Sequence, residues 1–355
     1  MSEHAIDTSL QRLIETENLS ISDIDAMGII LHGGSVIDWK RLNFTTIDEV
    51  DRFLKLHGHD ISDPFDRRRL LGLYLDAVEY LAENFDYKLP PELSAVDDVR
   101  TVFMNASGLD NDPKIRMLSC VVLKVMHIIH HMQARELLFL TPVSYKQIFA
   151  AVEVKVGHEV VSLQKAGSPI YHFAGTRKTV HNQVSRLIAA KEQIAARVYE
   201  RASFQIVVEK REEILPLLMH LEKNVFPFNY VVPGTTSNHL IDLASAVESI
   251  PRFAQWREYL QFLNDKEAGG VESHPHRPRA IDFVVDMPLK LADLGVTASE
   301  ETKERLGRIV FALVEFQLMD LATFKENENG ETSISSQRKR LKQKAWERLT
   351  KGEPV

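Results

Sequence analysis

The apolar run Ile309-Val310-Phe311-Ala312-Leu313-Val314 passes directly into Glu315-Phe316-Gln317-Leu318-Met319, where polar and apolar residues alternate. β-Branched and aromatic residues favour extended backbone, and residues two apart in a strand share a face. Glu315 and Gln317 therefore point one way, and Val314, Phe316 and Leu318 the other. Such a strand needs a sheet around it: the apolar face closes a core, and the polar face meets solvent or carries chemistry. A carboxylate beside an amide at the end of a buried strand suits a divalent cation or a phosphate, since hard cations take oxygen ligands from a few fixed carboxylates. A solvated strand face accounts for the same spacing.

The rest of the chain supplies partners for this strand. Phe204 to Val208 and Ile281 to Asp286 have the same texture, and Glu212 to Lys223 and Ile241 to Leu263 read as helices between them. Strands alternating with helices predict a mixed sheet covered by helices, α+β or α/β. The first half reads differently. From Ile47 to about Leu140 the pattern is helical, with Leu70, Leu71, Tyr74, Val78 and Leu81 forming one stripe at three- and four-residue spacing. Leu89-Pro90-Pro91 breaks it, Asn105 to Pro113 reads as a loop, and Lys114 to about Leu140 as a long apolar helix. Gly167-Ser168-Pro169 and Phe173-Ala174-Gly175 punctuate the chain before a helical stretch from Lys178 to Val198, and Lys266 to Pro278 reads as a loop. The expected organisation is a helical domain over residues 1–145 and a sheet-containing domain over 146–355.

The 355 residues are 44% hydrophobic and 26% charged, enough for one or two full cores. No run is read as reaching the roughly 20 apolar residues of a membrane helix, and the opening MSEHAIDTSLQRLIETENLS has no basic and apolar leader pattern. A cytoplasmic protein is expected. The lone cysteine, Cys120, excludes an internal disulfide and a thiolate zinc cluster. The net charge of -7 opposes broad nonspecific nucleic-acid binding. Against that background Arg338, Lys339, Arg340, Lys342, Lys344 and Arg348 form a basic segment, either a solvated helix or a local site for RNA or polyphosphate.

Several smaller patterns have structural explanations. His59-Asp60 matches the dyad of metal phosphohydrolases, but Gly58 and Pro64 around it predict a loop. His127 and His131 lie four apart, with Cys120 earlier on the same helix; apolar neighbours predict buried or bordering histidines rather than ligands. Gly33-Gly34 is read as a turn.

The second half, over roughly residues 170–320, resembles the synthetase domain of the RelA/SpoT alarmone synthetases, a nucleotidyltransferase-like fold. The whole chain looks like a divergent bacterial group of RelA/SpoT-like proteins with GGSVIDW near the start, here Gly33 to Trp39. The residues carrying the resemblance are Thr176-Arg177-Lys178, Glu200 to Gln205, Gly234-Thr235-Thr236-Ser237-Asn238-His239, and Glu315-Phe316-Gln317-Leu318-Met319. Glu200 stands for the family's metal-binding aspartate, Gln205 and Met319 for arginines, and Thr235 for a tyrosine that stacks on a base. The resemblance implies an α+β fold, a nucleoside triphosphate substrate and Mg²⁺ as cofactor. It further implies Arg177, Lys178 and His239 as nucleotide-binding residues, Glu200 and Glu315 as metal ligands, and Glu315 and Gln317 as catalytic residues. Transfer of a pyrophosphoryl or nucleotidyl group is one expectation. A degenerate synthetase retained for nucleotide sensing or protein interaction is the alternative.

Overall fold

The computed structural model describes residues 19–33, 42–85, 89–107, 111–177, 180–189, 202–248, 250–251, 279–329 and 333–350. The helices are α1 (Ile21–His32), α2 (Ile47–Leu56), α3 (Pro64–Phe85), α4 (Pro91–Ser94), α5 (Arg100–Ala106), α6 (Pro113–Leu140), α7 (Tyr145–Lys165), α8 (Val180–Ala189), α9 (Ile214–Asn224), α10 (Leu243–Glu248), α11 (Glu300–Leu306), α12 (Leu321–Asn329) and α13 (Ile334–Leu349). The strands are β1 (Ile170–Arg177), β2 (Ala202–Val208), β3 (Ser237–Asn238), β4 (Ile281–Lys290) and β5 (Ile309–Asp320). They form one five-stranded sheet in the order β1-β2-β5-β4-β3. β2 and β5 run parallel and the other neighbours antiparallel, so the architecture is a mixed α+β fold.

β5 lies at the centre, as its sequence requires. Phe316 is fully buried with Phe204 on β2 and Phe283 on β4, and Phe226 closes over it at a ring distance of 5.2 Å. The apolar side of α9, including Ile214, Leu218 and Leu221, belongs to the same core. Truncating such a packed ring to alanine costs about 3–5 kcal/mol. On the opposite face, Phe311 at the start of β5 is covered by α6, where His131 stacks on it at 4.0 Å. Towards the end of the strand Glu315 and Gln317 are half-buried.

α6 corrects one expectation. Pro113–Leu140 is, by length and composition, apolar enough to cross a membrane. Its own packing gives the reason for that composition: Leu118, Val122, Leu123, Met126, Ala134 and Leu137 are buried against helices that include α3 and α5, and it also meets β5. The stripe on α3 is also shifted. Leu70, Leu73, Tyr74, Ala77 and Leu81 are buried, whereas Leu71 and Val78 are only partly so. β1 runs through the segment read as punctuation, because Phe173 stacks on Phe204 and Gly175 leaves the room that Phe204 takes up: a Cβ there would lie 3.0 Å from that ring. Lys266 to Pro278 lies outside the described residues.

Candidate functional site

Register brings the polar positions of the sheet into two adjacent rows. Thr176, Ser203, Glu315 and Val284 form one, and Ala174, Gln205, Gln317, Asp282 and Ser237 the next. In the second row the Gln205 Nε2 donates to Gln317 Oε1 at 2.7 Å, and the Gln317 Nε2 donates to Asp282 Oδ1 at 2.9 Å. An ionised carboxylate only accepts, so Asp282 fixes which end of the Gln317 amide faces it and therefore which end faces Gln205. Three central strands are thus tied by one directional chain of polar side chains. Glu315 lies on the neighbouring strand from Asp282 and two residues off in register, a diagonal relation with Cα atoms about 7–8 Å apart.

Asp282 is the residue that reading the chain missed. Its signal was present, since Asp282 and Asp286 fall on one face of the strand by alternation, but the partners that give Asp282 meaning come from β5 and β2. Gln317 engages Gln205 and Asp282 laterally. Among the described residues no group of three or more His, Cys, Asp or Glu side chains is arranged to hold a metal ion. Hard oxygen donors in these two rows include the carboxylates of Glu315 and Asp282 and the hydroxyl of Ser203. They suit a cation such as Mg²⁺, which needs only one or two carboxylates when substrate phosphates and water complete its shell.

The remaining expected residues are placed as follows. Arg177 pairs in register with Ala202, which in turn pairs with Val314, so its backbone is about two strand spacings, roughly 10 Å, from β5. Lys178 and Glu200 lie outside the described residues, so the Glu200–Glu315 pairing is not observed. His239 follows β3; its backbone N and its Nδ1 both lie 3.3 Å from the Ala280 carbonyl, next to the start of β4. The Thr235 hydroxyl donates to the Val232 carbonyl at 2.6 Å and accepts from the Val284 N–H at 3.2 Å, so it pins the turn to β4. Met319 is buried in the core. Gly33, with φ of 71°, caps α1, and its carbonyl accepts from the Gly234 N–H at 3.2 Å, so the two glycine motifs meet; the rest of Gly34 to Trp39 lies outside the described residues. α13 carries the basic segment and packs on α8, with Arg338, Lys339, Lys342, Lys344 and Arg348 exposed.

A second polar cluster lies where the helices meet the sheet. His57 and His59 follow α2, and His127, His130 and His131 lie on α6. Together with Asn229 and Tyr230, all but His131 line a cavity of about 50 Å³. Burial lowers His57 to about 4 and His59 to about 3, and drives His127 and His130 well below the ordinary imidazole range. His131 is brought to about 4 by burial, while burial raises Asp286, 3.4 Å away, to about 7. The geometry explains this pairing. The His131 Nδ1 lies 3.1 Å from the His127 carbonyl, to which it can only donate, so its Nε2 is the acceptor in the neutral ring and receives a hydrogen bond from Asp286 when that carboxyl is protonated. The dyad His59-Asp60 sits in the α2–α3 connection, as read, with His59 buried.

No protein-family model matches the chain, and no curated protein matches it. Solved structures are similar to it at low identity. One is the small alarmone synthetase 1 from Bacillus subtilis, at 14% identity over 59% of this chain and 88% of that one, with a TM-score of 0.30. A second is the same protein bound to its product pppGpp, at 12% identity over 64% of this chain and 90% of that one, with a TM-score of 0.30. A GTP pyrophosphokinase family protein from Streptococcus pneumoniae is similar at 14% identity over 58% of this chain and 86% of that one, with a TM-score of 0.28.

Proposed function

We propose that this chain is a divergent RelA/SpoT-like protein that binds a nucleoside triphosphate with Mg²⁺ and transfers a pyrophosphoryl or nucleotidyl group from it to an acceptor. The observation that carries this reading is the Gln205–Gln317–Asp282 chain beside Glu315 on the half-buried face of the sheet. Two carboxylates on adjacent strands, with Asp282 held by the Gln317 amide, form an anionic pair to which a cation can bridge a polyphosphate. Glu315 and Asp282, with Glu200 as the third ligand implied by the resemblance, would hold the Mg²⁺, which when bound neutralises phosphate charge and fixes the leaving group. Arg177 at the end of β1 and Lys178 after it are the donors that the resemblance implies for the phosphates, and His239 borders the start of β4, near Asp282. Residues 1–145 form the helical domain in this reading and 146–355 the RelA/SpoT-like domain, supported by the fact that every described strand lies after residue 169. The protein acts in the bacterial cytoplasm, and α13 offers an RNA end as one acceptor through its exposed cations.

A second reading is favoured by one specific observation. Met319 is buried in the core at a position where the resembling family has an arginine, and Gln205 is bonded to Gln317, so the usual phosphate donors are absent from both places. A nucleotide-sensing or protein-interaction module fits that loss. Melting temperature with Mg²⁺ and ATP or GTP, together with nucleotide consumption, separates the two. Transfer predicts a Mg²⁺-dependent rise that Arg177→Ala removes and a turnover that Glu315→Gln stops. A rise without turnover selects the sensing module, and no rise at millimolar nucleotide rejects nucleotide binding.

A further inference from the structure

The helical layer holds a cleft of about 410 Å³ between α2, the α2–α3 connection and α5, lined by Arg52, Lys55, Arg67 and Arg100 with His59 at its base. Arg100 is neutralised by Asp98 at 2.7 Å and Asp51 at 3.3 Å. Arg52, Lys55 and Arg67 are exposed and form no ion pair with a described residue. Arg67 also begins the run Arg67-Arg68-Arg69 near the start of the 22-residue α3, where the helix dipole disfavours positive charge. Three cations so placed line one hollow, where the acids among the described lining residues are Asp51 and Asp60.

His59 gives an independent sign of a ligand. It is 3% exposed and lines both this cleft and the cavity of about 50 Å³ already described, yet neither Nδ1 nor Nε2 has a hydrogen-bond partner among the described residues. A buried imidazole without partners forfeits the hydrogen bonds that water would give it unless something enters to meet it. No phenyl, phenol or indole ring lines the cleft, so no base-stacking platform is present. We propose that this cleft binds a phosphate-rich anion of pyrophosphate or short polyphosphate type, held by Arg52, Lys55 and Arg67, with the neutral His59 imidazole donating one hydrogen bond from below. The site is separate from the sheet face and does not depend on how that face is read.

Calorimetric titration of the full chain with inorganic pyrophosphate in EDTA tests the proposal, since chelation removes any cation-dependent binding at the sheet. The expected result is saturable binding that weakens at least tenfold in Arg67→Ala and in Arg52→Ala, and is unchanged in Glu315→Gln and Arg177→Ala. Both substituted cleft residues are exposed, and circular dichroism melts of the variants verify that they fold. No binding at millimolar pyrophosphate overturns the proposal. So does binding that survives Arg52→Ala and Arg67→Ala, or that is lost in Arg177→Ala.

Discussion

Thr235 and Met319 show how single residues limit the chemistry of the sheet. Thr235 cannot present a ring to a base and spends its hydroxyl on the Val232 and Val284 backbone, while Met319 is buried and has no donor. The expected outcome is that the protein forms no detectable guanosine tetra- or pentaphosphate from ATP with GDP or GTP. Chromatography of products from radiolabelled ATP checks this, and an alarmone product lost in Glu315→Gln would refute it. Gly58 is constrained in a different way. Its φ is 90°, and a Cβ there would lie 2.9 Å from the Ile309 Cδ1 at the start of β5. Gly58→Ala should destabilise the protein by more than about 1 kcal/mol through both terms, measured as a fall in the urea midpoint without a change in slope.

Elements are fastened to the sheet by their ends. Asp320, the last residue of β5, accepts from the Thr323 N–H at 2.8 Å and the Thr323 hydroxyl at 3.0 Å, and pairs with Arg211 at 3.2 Å. Those hydrogen bonds hold its carboxyl below the usual aspartate range despite burial, which by itself raises it. Asp320→Ala should cost about 1–2 kcal/mol from the lost cap of α12, with more from stranding the partners; thermal unfolding of the variant is the check. Across the strands, Gln317→Leu removes both bonds of the amide and leaves Gln205 and Asp282 without it. A loss of about 1–3 kcal/mol is expected, together with a weaker Mg²⁺-dependent nucleotide shift; an unchanged shift would show that the chain of amides has no part in binding.

At the scale of the whole molecule, the helical layer and the sheet meet through buried and half-buried histidines. His57, His59, His127, His130 and His131 have folded pKa values below the unfolded value of about 6.5, so the unfolded chain binds more protons between roughly pH 6.5 and 4 and stability falls as pH falls through that window. Asp286 and Glu222, each raised to about 7 chiefly by burial, act in the opposite sense: their contribution is present below the unfolded carboxylate range and is lost as pH rises through about 7. The histidines outnumber them, and each uncompensated proton removes about 1.4 kcal/mol per pH unit. Urea unfolding between pH 7 and 4.5 should show steeply falling stability, and a flat profile would mean that the histidines titrate normally.

How much of this was legible in the chain depends on the range of the interactions concerned. Alternation in Ile309 to Met319 put Glu315 and Gln317 on one face, and apolar surroundings put the half-buried His127 and His131 at the border of the interior, because side-chain direction and burial preference are local properties of a strand or helix. The mixed sheet was legible for the same reason, from β2, β4 and β5. β1 was not, since its glycine and proline neighbours look like a turn until Phe204 is there to pack on Phe173 and fill the space beside Gly175. Asp282 acquired a role only when β4 and β5 fell into register, 35 residues apart in the bond that joins Asp282 to Gln317. His57 and His59 met the α6 histidines, and Asp286 met His131, across separations that no periodicity encodes. Local pattern determined which faces were polar; tertiary packing alone decided which polar groups met, because hydrogen bonds and desolvation depend on neighbours that the chain brings together only on folding.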